Sequence, residues 1–161
     1  MTSGQRLRQI INLLNGSTLL GLLLAAAART PVGGGPHGLL IATGYRWRLP
    51  FAGAFTVGNV VLFRAGRQGA LSNPALLDHE ERHSTQYAWC LGVPFLPLYF
   101  LAAAWSLWRT GNPASGNIFE RHAGLQAGGY LGLHPADGTP ANRHRPAGGR
   151  QGPAAPERNE A

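Results

Sequence analysis

One stretch of this chain has residue types and spacing that dictate a chemistry. It is His79-Glu80-Glu81-Arg82-His83, an H-E-x-x-H pattern in a sequence with only 7 acidic residues. On an α-helix, positions i and i+4 share a face, so His79 and His83 can offer both imidazoles to one zinc ion. Glu80 falls beside them, about 100° round the helix, where a carboxylate can take a proton from water at the metal. The bland alternative is two histidines paired by chance on a solvated helix face.

The flanking residues predict the helix that such a site needs. Asn73 is a good N-cap and Pro74 is tolerated at the first helical position. Ala75, Leu76 and Leu77 favour helix, and Asp78 lies near the positive end of the dipole. Gly92 and Pro94 mark the stop. The predicted helix runs from Pro74 to about Leu91, with the motif in its second turn.

A catalytic zinc usually takes three protein ligands and keeps one position for water. The downstream candidates are Glu120, His122 and His134. Glu120 is preferred because it opens a short predicted helix, residues 117 to 127, with Asn117 as N-cap and apolar neighbours to fix its direction. Its competing role is to complete a capping box. The single cysteine, Cys90, excludes an internal disulfide. It lies on the histidine face but about 10 Å further along the axis, so it reads as a packing residue.

The choice of Glu120 constrains what lies between. Leu91 to Trp108 is an apolar run, and as a simple transmembrane helix it would put His83 and Glu120 on opposite sides of about 30 Å of hydrocarbon. The early Pro94 and Pro97 favour a broken, hairpin or interfacial segment that returns to the same side.

Upstream, Leu39–Thr43, Ala54–Phe63 and the alternating Tyr45-Arg46-Trp47-Arg48 read as strands of a small antiparallel sheet. A second apolar run, Ile10 to Ala28, follows Arg6 and Arg8. It has three readings: a signal peptide, an anchor of marginal length, or an amphipathic helix lying on a membrane or on the domain itself. The chain of 161 residues suits one domain. Its divisions are an apolar segment (1–30), a domain (37–133) and a tail from His134 to Ala161 too poor in apolar residues to fold. All 14 basic residues are arginine and the net charge is +7. The arginines are scattered and flank apolar runs, which favours a membrane surface over nucleic acid as partner; no nucleic-acid-binding pattern is present.

With the pattern extended to His79-Glu80-x-x-His83-x-x-Gln86, preceded by Thr56-Val57-Gly58-Asn59 and followed by Asn117-x-Phe119-Glu120-x-x-Ala123, the chain resembles small bacterial zincin-like proteins of minimal-metallopeptidase type. The resemblance covers roughly residues 39 to 130. It implies an α+β fold in which a short antiparallel sheet precedes the H-E-x-x-H helix and a second ligand-bearing helix. It implies Zn2+ bound by His79, His83 and Glu120, with Glu80 as general base and an extended peptide or protein substrate along the strand before the motif helix. The larger peptidases' substrate subdomain is missing. The oxyanion donor is left open among Tyr87, Tyr99, Tyr130 and His122, and Gln86 is expected to hydrogen-bond a ligand from behind. The expected setting is the membrane of the cell envelope, with the cytoplasm as alternative. The competing function is a membrane-associated metal-binding or structural protein without turnover.

Overall fold

The chain's first apolar run is not one rod. Asn15-Gly16 divides it into α1 (Ser3–Leu14) and α2 (Ser17–Ala27), which meet at a bend of 72°. Gly16 takes φ 78, and the Asn15 side chain turns to accept from Ser17 N at 3.0 Å and from Ser17 Oγ. The break satisfies the first donors of α2 and sends it back over the sheet. The structure, a computed structural model, describes residues 1–48, 50 and 52–128. Tyr130, His134 and the tail expected from His134 onward lie outside the described residues.

After α2 come β1 (Val32–Gly34), β2 (Leu40–Thr43), β3 (Ala54–Val57) and β4 (Val60–Phe63), then α3 (Arg67–Leu71), α4 (Pro74–Trp89), α5 (Phe95–Thr110) and α6 (Ile118–Ala123). The fold is α+β. Its sheet has the order β1-β2-β4-β3 and is mixed, whereas the sequence predicts an antiparallel one. β1–β2 and β3–β4 are antiparallel, but β2 and β4 run parallel in the register Leu40↔Val60 to Thr43↔Phe63. The cause is the long connection after β2, residues 44 to 53. It is long enough to skip a strand position about 4.8 Å wide, and β4 then drops into the gap. Tyr45–Arg48, expected as a strand, is irregular chain: its place beside β2 is taken by β4.

The apolar run 54–63 splits into a hairpin at Gly58-Asn59. Gly58 has φ +62, the conformation that the first position of a two-residue turn requires. Alternate residues of β4 then serve opposite faces. Val61 and Phe63 pack with Ile41 and Leu77 on the α4 side, while Val60 and Leu62 pack with Ala25 and Tyr45 on the α2 side. β4 is buried throughout, as a central strand between two helical layers must be.

Of the broken, hairpin or interfacial forms expected for the second apolar run, it is neither broken nor a hairpin: one continuous helix starts at Phe95. Pro94 is its N-cap, and Pro97 sits in the first turn, where no backbone donor is needed. α5 has 16 residues, about 24 Å. No single helix among the described residues is long and apolar enough to cross a membrane. The chain turns at Gly111 and folds back. Buried Ser106 anchors the return by donating to Asn112 O at 2.6 Å and accepting from Gly116 N at 2.7 Å.

The seat of α2 on the hairpin depends on Gly21. A Cβ there would stand 2.5 Å from the Val57 carbonyl oxygen and 2.8 Å from Val60 Cβ. Gly21→Ala is expected to cost about 1–3 kcal/mol through overpacking, read as a lower denaturant midpoint. An unchanged midpoint would mean that α2 does not hold this position in solution.

Candidate metal centre

α4 is shaped by the signals its sequence carries. Asn73 Oδ1 caps Leu76 N at 3.0 Å and Pro74 opens the first turn. At the far end, Gly92 N donates to Tyr87 O at 2.7 Å and Leu91 N to Ala88 O, a Schellman closure with Leu91 in the left-handed conformation at φ 58. The helix is therefore one rigid rod under the whole motif. His79, Glu80 and His83 are all buried on it.

Glu120 reaches them from α6. Asn117 Oδ1 caps that helix at Phe119 N, 3.0 Å, while the Glu120 carboxylate leaves the cap and turns into the protein. Its Oε2 lies 3.4 Å from His79 Nε2, its Oε1 lies 3.6 Å from His83 Nε2, and the two Nε2 atoms are 3.0 Å apart. Tetrahedral ligands at zinc bond lengths of about 2.0–2.2 Å stand roughly 3.3–3.6 Å from one another. The triangle is thus the size a small metal ion requires. Buried His79, His83 and Glu120 lie close enough to bind one.

The back of each imidazole fixes its tautomer. His79 Nδ1 is 3.2 Å from Ala123 O and 3.1 Å from Gly124 O; facing acceptors only, it donates. Gln86 Nε2 donates to Phe119 O at 2.9 Å, so its Oε1 faces His83 Nδ1 at 2.8 Å, which donates as well. Both Nε2 lone pairs consequently point at the same space. Two lone pairs at 3.0 Å repel unless a proton or a cation lies between them. Glu120 Oε2, also buried there, has no hydrogen-bond partner among the described residues.

The electrostatics favour a positive occupant. Burial opposes the charge on Glu120, but the His79 and His83 imidazoles and the Tyr99 hydroxyl outweigh it, holding the carboxyl well below its usual range. Burial likewise opposes a charged His83, yet Glu120 and Glu80 raise its pKa. Glu80 is pushed up, chiefly by burial, against the pull of His83 and of Thr56, whose hydroxyl donates to Glu80 Oε2 at 2.7 Å.

Above these groups lies a cavity of about 700 Å³. Its walls are mostly apolar, and Tyr87 and Tyr99 line it with Thr56 and Val57. Tyr99 donates to Glu120 Oε1. The Tyr87 hydroxyl is buried, without a hydrogen-bond partner among the described residues, and its pKa is raised by burial, so it stays protonated. His122 is elsewhere: it is exposed, stacks on Trp89 at 5.8 Å and faces the Gln86 amide at 3.3 Å. Cys90 packs beside the Val57, Tyr87 and Phe95 cluster. Sequence reasoning missed Thr56 as the partner of Glu80; its only signal was a lone hydroxyl residue in an otherwise apolar strand.

Compared with protein families, with curated proteins and with solved structures, the chain finds no match in any of the three.

Gln86 supports a ligand from behind, so Gln86→Leu is expected to weaken metal binding about 10- to 100-fold in a chelator competition while leaving the helix content intact. Equal affinity would remove Gln86 from the site. Because His79 and His83 on α4 and Glu120 on α6 would share an ion, adding zinc to metal-free protein should raise its melting temperature. That increase should disappear in His83→Ala.

Proposed function

We propose that this protein is a zinc-dependent hydrolase of zincin type, cutting peptide bonds close to a membrane surface. The observation that carries the reading is the convergence of two tautomer-fixed Nε2 atoms and the Glu120 carboxylate beside a buried, Thr56-bound Glu80. His79, His83 and Glu120 would hold a metal with three protein donors and leave it a position for water or substrate, as catalytic and not structural zinc sites do. Imidazole and carboxylate donors suit zinc. Zinc would supply Lewis acidity, acidifying water and polarising a carbonyl.

The chain's own residues supply the rest. Glu80, which lines the same cavity as His79, His83 and Glu120, would take the proton of metal-acidified water, and the Thr56 hydroxyl holds that carboxylate in one orientation. Of the tyrosines near the site, Tyr99 gives its proton to Glu120, which leaves the Tyr87 hydroxyl as the candidate oxyanion donor; it would have to turn from its buried position to reach the cavity.

An extended peptide fits the edge of the sheet. β3 is an edge strand. Gly53 O accepts from Arg64 N at 3.0 Å, and Phe55 and Val57 face Leu62 and Val60 in the same alternation. The backbone groups of Ala54 and Thr56 therefore point away from the sheet, along the cavity that both residues line. A peptide added there by main-chain pairing would lie across Glu80 and the metal ligands.

Glu80→Gln should keep a full complement of zinc and lose about 10²–10⁴-fold in peptide hydrolysis. Retained hydrolysis would eliminate Glu80 as the base. Full metal loading with no cleavage of a peptide library by the unaltered chain would point instead to a metal-binding protein without turnover.

A further inference from the structure

α1 is built inside out. Its polar residues Arg8, Gln9 and Asn12 face the protein, where Arg8 pairs with Glu81 at 2.7 Å, Gln9 bonds Gly38 O and Asn12 bonds Ser84 O at 2.8 Å. Its apolar stripe, Leu7, Ile10 and Leu14, faces outward, with Leu14 82% exposed. A helix on a water-facing surface has the opposite polarity. α5 repeats the feature: among its 16 residues only Phe95 and Ser106 are buried, while Leu98, Leu101, Trp105 and Trp108 form an outward stripe. Scattered exposed apolar residues need no explanation, but contiguous faces on two elements do.

The faces join. Gly92 closes against the Asn15 side chain, where a Cβ would stand 2.7 Å from Asn15 Cγ. The α4–α5 turn thus sits at the α1–α2 corner, with Leu91 75% exposed beside it. Leu20 and Leu24 of α2 wall the same cavity as Leu96 and Phe100 of α5.

We propose that this continuous face of α1, α2 and α5 docks on an anionic lipid bilayer. It deepens the membrane setting of the preceding reading and rests on that setting, not on hydrolysis. Charge selects the occupant. From Met1 to Leu77 there is no acidic residue, and between Arg82 and Phe119 there is none either. Asp78 is the only exposed acidic residue among the described residues. Arg6, Arg29 and Arg109, all exposed, stand on α1, just after α2 and in the last turn of α5. A second copy would bring like charges together on a chain of net charge +7, whereas phosphatidylserine-type headgroups neutralise them. α5, about 24 Å long, is too short to span. Lying flat, it would put Trp105 and Trp108 at the headgroup level where tryptophan is favoured. Trp47 and Phe100, both exposed, line the cavity, so a peptide leaving the membrane surface would meet the cleft directly.

The test is flotation of the full-length, zinc-loaded chain with vesicles of phosphatidylcholine alone or mixed with phosphatidylserine. The chain should float with the mixed vesicles, bind phosphatidylcholine more weakly, and lose the difference at high salt. Ile10→Ser with Leu14→Ser, and separately Leu101→Ser with Trp108→Ser, should each lower partitioning about tenfold or more. These side chains point outward, so zinc content and circular dichroism should not change. Three results would overturn docking: no flotation with either vesicle, flotation of both double variants at the original level, or a stable dimer in solution that the same substitutions dissociate and that ignores vesicles. Flotation reads no hydrolysis. Inactive protein that floats would refute the hydrolase and leave docking in place, and active protein that stays in the soluble fraction would do the reverse.

Discussion

The last carbonyls of α6 are held by side chains of α4, and the candidate metal centre depends on that clamp. α6 has six residues, too few to be helical alone. Its C-terminal carbonyls would be left unsatisfied in a buried setting. His79, Arg82 and Gln86, spaced along one face of α4, bind Ala123, Gly124 and Phe119 carbonyls instead. Two of those three side chains also set the chemistry. The bond from His79 Nδ1 turns its Nε2 toward Glu120, and Gln86 does the same for His83. One set of hydrogen bonds therefore stabilises the second helix, places its glutamate and prepares both imidazoles as ligands.

After Pro74, α4 exposes only a narrow strip, Ala75, Asp78, Arg82 and Trp89, and buries polar residues around the rest of its circumference, which explains why its sequence lacks a clear amphipathic stripe. His79, His83 and Gln86 serve α6; Glu80 and Tyr87 serve the sheet and cleft; Glu81, Ser84 and Thr85 serve α1 or the helix itself. On the α1 side the contacts form a buried polar cluster. Asn12 bonds Asn59 and Ser84, and Asn59 bonds Thr18 at 2.9 Å and Gln9 O at 3.1 Å. Such a network specifies one arrangement because each member left unpaired would cost a full desolvation penalty. It binds the N-terminal helices, the hairpin turn and the motif helix into a single register.

The motif helix was legible because its bounds are local: Asn73-Pro74 starts it and the Leu91-Gly92 reversal ends it within two residues of the expected place. Glu120 was legible for a similar reason, being the one acidic residue between the motif and the tail, on a helix with its own cap. The sheet was not. Gly58-Asn59 lies inside a run of β-branched residues that reads as one strand, and the parallel pairing of β2 with β4 follows from a crossover whose path no local pattern records. Nor was the facing of α1 legible. Periodicity separates a polar stripe from an apolar one, but which stripe meets the protein is decided by partners such as Ser84 and Glu81, more than seventy residues away.

α5 ties the cleft to the outer surface. Its first turns place Phe95 against Tyr87 and Phe119, and Tyr99 against Glu120. Leu98 and Leu101, flanking Tyr99 on the same helix, point out. At 3.6 residues per turn these directions are fixed relative to one another. Rotating α5 to bury its leucines and tryptophans would withdraw Tyr99 from Glu120 and open the wall of the cavity. The outward apolar face is therefore a geometric consequence of building the candidate metal centre on this helix, and repacking among the described residues cannot remove it.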